Sequence, residues 1–208
     1  MAGLVTYEER LNADRLWALR EGSMHFEKES AVFKTMQTIT KRLAELGIPY
    51  AVVGGMAMFL HGYRRFTEDV DILVTREGLT VIHDQLEGRG YLPLFTGSKN
   101  LRDAETGVRI EFLISGDYPG DGRPKPVAFP DPADTGIEIE GIRFLQLLPL
   151  IELKLASGST NPRRGQDLVD VQRIIETLNL PEDLSDRLHP SVRDKYREIW
   201  TIVHTNPP

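Results

Sequence analysis

The chain has 208 residues, 40% apolar and 27% charged, with a formal net charge of −6 and a pI of about 5.4. This suits one sizeable core, alone or with a small appendage. The absence of cysteine excludes disulfides and thiolate metal sites and agrees best with a cytoplasmic location. An acidic chain has no global attraction for nucleic acid, so such binding needs a local basic patch. No apolar run approaches the ~18 residues of a membrane span, and the charged start MAGLVTYEERLNADR does not read as a signal peptide.

Residues 1–27 are charged, with scattered Leu and Trp17, and predict one helix. Val32, Phe33, Met36, Ile39, Leu43 and Leu46 recur at helical spacing, predicting a helix over 30–46 that Gly47 ends. Tyr50 to Val53 reads as a first strand. Gly54-Gly55 follows, and a buried helix runs from Gly55 to His61. The predicted elements continue with a strand over 70–74, a helix over 77–87 and a strand over 91–95. A polar turn segment is expected over 97–107. Residues 108–115 then alternate, with Val108, Ile110, Phe112 and Ile114 on one face and Arg109, Glu111 and Leu113 on the other. The proline- and glycine-rich stretch 116–136 reads as a lid or a disordered loop. A small hairpin is expected around Glu140-Gly141, and helices over 147–156, 166–178 and 191–204, the last capped at Ser191. The sum is an α/β (α+β) chain with a mixed sheet flanked by helices. It divides into an N-terminal extension (1–28), a core (29–146) and a helical C-terminal part (147–208).

The chemistry concentrates in PYAVVGGMAMFLHGYRRFTEDVDILVT, residues 49–75. Asp69 and Asp71 stand two apart on a strand and therefore share a face. Glu111, mid-strand among apolar residues, supplies a third carboxylate. Unscreened charges ~4 Å apart repel by roughly 4 kcal/mol at an effective dielectric near 20. Such a cluster calls for a cation, and hard oxygen donors suit Mg²⁺ or Mn²⁺. Gly54 and Gly55, at a strand-to-helix turn, let backbone N–H groups approach a phosphate. Gly-Gly alone and Asp-x-Asp alone are weak signals; their combination with Glu111 is more specific.

The pattern GG-x13-DVD with a downstream strand carboxylate resembles the nucleotidyltransferase superfamily that includes DNA polymerase beta. The segment LLPLIELKLASGSTNPRRGQDLVDVQRII resembles the lysine helix and R-x-x-D-x-x-D helix of the AbiEii-type toxins of type IV toxin–antitoxin pairs. The resemblance runs from about Ala31 to Leu178. It implies that Asp69 and Asp71 bind metal, that Gly54 and Gly55 contact a nucleoside triphosphate, and that Lys154 touches phosphate. Asp167 or Asp170 would support the site, and Arg164 matches the family arginine. It further implies a tRNA or protein acceptor and an antitoxin protein as partner. Relatives that modify antibiotics keep a small-molecule acceptor open. Gly55 departs from the many relatives that carry a phosphate-binding serine there, leaving only a backbone contact.

Read without the resemblance, Lys154 shares a helix face with Leu147, Leu150 and Ile151. Asp167 and Asp170 share one with Val171, Ile174 and Leu178. Buried ionised groups need partners; the bland alternatives are a snorkelling lysine and acidic residues favoured at a helix start. Arg64, Arg65 and Thr67 lie in the loop before Asp69, placed for nucleotide or acceptor, or merely solvated. Together with Arg123, Lys125, Arg163 and Arg164, the two arginines are the candidates for a local basic patch. His25, His61, His83, His189 and His204 show no metal-ligand spacing. The reading is a metal-dependent nucleotidyltransferase, with a non-catalytic nucleotide- or RNA-binding module of the same fold as its rival.

Overall fold

A computed structural model describes residues 5–205. Its centre is a seven-stranded mixed sheet. In chain order the strands are β1 (Tyr50–Val52), β2 (Asp69–Val74), β3 (Tyr91–Pro93), β4 (Leu101–Asp103), β5 (Arg109–Ile114), β6 (Gly136–Ile139) and β7 (Ile142–Leu145). Their order across the sheet is β3-β4-β5-β2-β1-β7-β6. The central pair, β2 and β5, runs parallel with Asp69 opposite Arg109 and Asp71 opposite Glu111. Because side chains alternate, these four residues face one way. Val70, Ile72, Ile110 and Phe112 face the other way and are fully buried.

That apolar face is covered by α3 (Ala31–Glu45), whose Val32, Met36, Ile39 and Leu43 lie in the same core. Ser30 caps this helix by accepting the Phe33 N–H at 3.2 Å. Helix α5 (Arg76–Leu86) packs against β5 with Ile82 buried, and α4 (Gly54–Leu60) packs against β2. After the hairpin of β6 and β7 the chain turns helical. The pair α7 (Leu147–Thr160) and α8 (Gly165–Leu178), joined by a 3-10 turn at Pro162–Arg164, stands over the polar face of β2 and β5. Helix α9 (Pro190–Thr205) packs on both. Among the described residues no helix is long and apolar enough to cross a membrane.

Several boundaries differ from expectation. The N-terminal segment forms two helices, α1 (Tyr7–Ala13) and α2 (Arg15–Phe26), because Asp14 ends the first and caps the second through the Leu16 and Trp17 N–H groups. The segment expected to be all turn contains β4, which pairs with both β3 and β5. Helix α7 continues past Ala156 to Thr160, and α4 begins at Gly54. Helix α9 begins at Pro190, where proline is tolerated, and the preceding His189 Nδ1 accepts the Ser191 N–H. The stretch 116–136 is ordered: the Lys125 ammonium bonds Asp121 and Thr160, Asn161 Nδ2 donates to Gly120 O, and Pro132–Thr135 form a short α6.

Phe112 lies at the middle of the core, so Phe112→Ala is expected to lower unfolding stability by about 3–5 kcal/mol. Urea denaturation measures it; a loss under ~1 kcal/mol would contradict the placement of β5 as a central strand.

Candidate functional site

The polar face of β2 and β5 forms the floor of a cleft of about 430 Å³. Asp69, Asp71 and Glu111 each offer one carboxylate oxygen, and these oxygens lie within 4.8 Å of one another. The parallel register makes this possible, since it puts Asp71 and Glu111 side by side and Asp69 one pleat away. Burial, together with the Asp69 and Glu111 charges, pushes the Asp71 carboxyl up to about 7. A hard, all-oxygen donor set crowded enough to hold back ionisation of Asp71 has the chemistry that suits a divalent cation.

Gly54 sits against this cluster. Its φ is +60°, and a Cβ there would stand 1.8 Å from Asp71 Oδ2, so only glycine fits. The Val53 N–H donates to Asp71 O at 2.9 Å, tying the glycine turn to β2. Gly55 is tight for another reason: a Cβ would lie 2.8 Å from both Cβ and Oγ1 of Thr67. The room a serine side chain would need is filled by Thr67, whose hydroxyl donates to Asp69 Oδ1 at 3.0 Å.

The opposite wall comes from α7 and α8. Lys154, only 7% exposed, donates to Asp167 Oδ1 at 2.8 Å and to Asp170 Oδ2 at 2.7 Å. Asp170 is fully buried and also receives Gln166 Nε2 at 3.1 Å, while Arg65 Nε lies 3.2 Å from its Oδ1. Ser157 Oγ donates to Asp167 Oδ2 at 2.6 Å. Burial would raise the Asp167 carboxyl, but the Lys154 charge and hydrogen bond outweigh it and hold the group below its usual range. Lys154 therefore does not snorkel, and Asp170 is no mere helix-start residue. Two carboxylates meet one buried ammonium, which lines the cleft and has a third donor beyond these two bonds.

The remaining candidates are distributed unevenly. Arg164 lines the cleft and is exposed. Arg65 lines it too but points its guanidinium at Asp170. Arg64 lies outside, over the Phe59 ring at 5.7 Å to the centroid, and Lys125 is spent on Asp121 and Thr160. His61 Nε2 lies 2.7 Å from Leu145 O, away from the carboxylates.

Two residues of the site were not singled out from sequence. Arg109 Nη2 donates to Asp69 Oδ2 at 2.9 Å and lies 3.2 Å from Glu111 Oε1. Its place two residues before Glu111 on one strand face was a usable signal. Glu8, at the start of α1, takes Arg102 Nη1 at 2.7 Å and stands 4.0 Å from Arg109 Nε. No local pattern marks Glu8, because its neighbours are about a hundred residues away in the chain.

No protein-family model and no curated protein matches this sequence. Solved structures do match. The chain is similar to ANT(2")-Ia in complex with adenylyl-2"-tobramycin, at 12% identity and a TM-score of 0.52, over 79% of this chain and 96% of that one. It also matches an antigenic nucleotidyltransferase-like protein from Paracoccidioides brasiliensis, at 16% identity and a TM-score of 0.46, over 84% and 88% of the two chains. A third match is an H. pylori protein described as a putative nucleotidyltransferase, at 21% identity and a TM-score of 0.46, over 83% and 79%. The first match identifies the architecture as the nucleotidyltransferase fold, and the acidic floor lies in its cleft.

The raised Asp71 carboxyl has a pH consequence. Its folded value, about 7, lies above the unfolded value of 3.8, so the folded chain holds an extra proton between these limits. Its contribution to metal-free stability is full below about pH 4 and is lost as pH rises through about 7. Urea denaturation in EDTA at pH 5 and pH 8 should show wild type losing more stability than Asp71→Asn; equal losses would contradict the assignment. Separately, Asp170→Ala leaves Lys154 buried with one partner fewer and is expected to cost about 3–5 kcal/mol. A thermal or urea midpoint unchanged in Asp170→Ala would show that the network does not hold the far wall.

Proposed function

We propose that the chain is a divalent-metal-dependent nucleotidyltransferase that moves a nucleotide from a nucleoside triphosphate to an acceptor hydroxyl. The observation that carries this reading is the set of Asp69, Asp71 and Glu111 oxygens within 4.8 Å, on the floor of a cleft in a nucleotidyltransferase fold. These three residues would hold Mg²⁺ or Mn²⁺. When bound, the cation supplies neutralisation of phosphate charge and alignment of the attacking and leaving oxygens. The chain's own groups do the rest. Gly54 and Gly55 present backbone N–H groups at the turn into α4, next to the cluster. Lys154 offers its third N–H to a phosphate oxygen, with Asp167 and Asp170 orienting the ammonium. Arg164 adds an exposed cation on the same wall, and Arg65 and Thr67 brace Asp170 and Asp69 rather than reach far into the cleft. Glu111 takes the proton of the acceptor hydroxyl.

The finer reading is a toxin-like enzyme acting on tRNA or protein, with an antitoxin protein as partner. Its support is the Lys154 and Arg164-x-x-Asp167-x-x-Asp170 pattern, together with the pairing of that lysine with both aspartates. A second reading, a small-molecule acceptor, draws on the likeness to ANT(2")-Ia, whose structure carries adenylyl-2"-tobramycin.

Labelled transfer separates these. Protein, Mg²⁺ or Mn²⁺ and each α-labelled triphosphate are incubated with total tRNA, a protein lysate or an aminoglycoside panel. Label is expected in tRNA or protein, and Asp71→Asn should reduce it by at least ~10²-fold, the order of losing a transition-state contact. Label on an aminoglycoside alone would select the small-molecule reading. No labelled product, with triphosphate still raising the melting temperature, would leave only a non-catalytic binding module.

A further inference from the structure

We propose that Arg109, braced by Glu8, is the built-in counter-ion of the carboxylate floor, bridging Asp69 and Glu111 in the metal-free chain and shifting toward Glu8 when a divalent cation takes their oxygens. This rests on the metal-dependent reading above. Both oxygens of Asp69 are in use: Oδ1 accepts from Thr67 at 3.0 Å and Oδ2 from Arg109 at 2.9 Å. The same guanidinium nitrogen lies 3.2 Å from Glu111 Oε1. A cation coordinated by Asp69 and Glu111 therefore meets Arg109 already bonded to those carboxylates, and the two positive charges repel at that distance.

Arg109 has somewhere to go. Its Nε is buried yet has no hydrogen-bond partner among the described residues, and the carboxylate facing it is Glu8, whose Oε1 lies 4.0 Å away. Glu8 is held ready by its other oxygen, which accepts Arg102 Nη1 at 2.7 Å. The Arg109 side chain is 35% exposed and lines the cleft, so its movement is not blocked by core packing. The start of α1 is fastened by the Tyr7 N–H, which donates to Gly107 O at 3.1 Å. Gly107 has φ +76°, and a Cβ there would press on Tyr7 N and Val5 O at 3.0 Å. Close backbone contact thus delivers Glu8 beside a strand remote in sequence. Glu8 touches no reacting atom in this scheme; it is a positioning residue acting through Arg109.

The exchange predicts opposite effects on the two states. Without metal, Arg109 relieves the repulsion among three carboxylates; with metal, that work passes to the ion. The test uses the full chain as wild type, Arg109→Gln, Glu8→Gln and the double variant. Mn²⁺ binding is followed by the free-ion electron paramagnetic resonance signal, and thermal unfolding is recorded in EDTA and in saturating Mn²⁺. Arg109→Gln is expected to unfold several degrees lower in EDTA, to match wild type in Mn²⁺, and to bind Mn²⁺ about tenfold tighter, the equivalent of one charged hydrogen bond. Glu8→Gln should bind Mn²⁺ about threefold more weakly, and that loss should vanish in the Arg109→Gln background, as coupled neighbours require. Arg109→Lys, which keeps the charge but not the fork, should fall between wild type and Arg109→Gln. An equal drop in unfolding temperature with and without Mn²⁺ would make Arg109 merely structural and overturn the exchange. A Glu8→Gln effect that persists in the double variant would overturn the role of Glu8. Wild type binding Mn²⁺ with the variants unmoved sinks this proposal alone; wild type binding no Mn²⁺ sinks the metal reading with it.

Discussion

Three carboxylates on one sheet face repel one another, and much of the molecule is arranged around keeping them there. The parallel pairing of β2 with β5 fixes Asp71 beside Glu111 and brings Asp69 within reach of both. That register sets Arg109 opposite Asp69, yet it crowds three carboxylates around one cation. It is imposed by the opposite face, where Val70, Ile72, Ile110 and Phe112 are buried, and a one-residue slip would turn those apolar side chains outward. The core thus holds the acidic floor in a geometry the floor would not choose. The raised Asp71 carboxyl expresses that strain electrostatically.

The second charge centre is buried more deeply and better compensated. Lys154 lies between Asp167 and Asp170, with Ser157, Gln166 and Arg65 satisfying the remaining carboxylate oxygens. Such networks are costly to break on one side and cheap to keep when complete. This one joins α7, α8 and the loop before Asp69, so the far wall and the floor of the cleft are coupled through Arg65 and Thr67. Arg109 and Glu8 extend the same logic to the N-terminal helices, and His25, 3.2 Å from Arg65 O, adds a second tie from α2 to that loop. The extension before residue 29 is therefore in contact with the site on two sides.

The floor was legible because strand geometry is local. Asp69 and Asp71 share a face by the two-residue period, and Glu111 stood out as a carboxylate among alternating apolar residues. Lys154, Asp167 and Asp170 were legible as charges on apolar helix faces, although their mutual pairing was not. Other features could not be read this way. Strand β4 is three residues long among polar neighbours, and its strand character comes from hydrogen bonding to β3 and β5 rather than from its own pattern. The meaning of Gly55 depended on Thr67, twelve residues on, whose side chain fills the space above it.

By itself the sequence determined the elements with strong periodicity, α3, β5 and α8 among them, and the acidic residues of the floor. Periodicity and the sharing of a strand face are consequences of backbone geometry within a few residues, so they are written locally. Only the tertiary structure decided which charges face which: Arg109 between Asp69 and Glu111, Arg65 on Asp170, Glu8 beside Arg109. Those pairings join residues up to about a hundred positions apart, and they follow from the apolar packing that brings the elements together. An isolated stretch of sequence has no energy term that distinguishes a solvated arginine from one clamped between two carboxylates. The folded chain, which brings that arginine within 3.2 Å of both carboxylates, does.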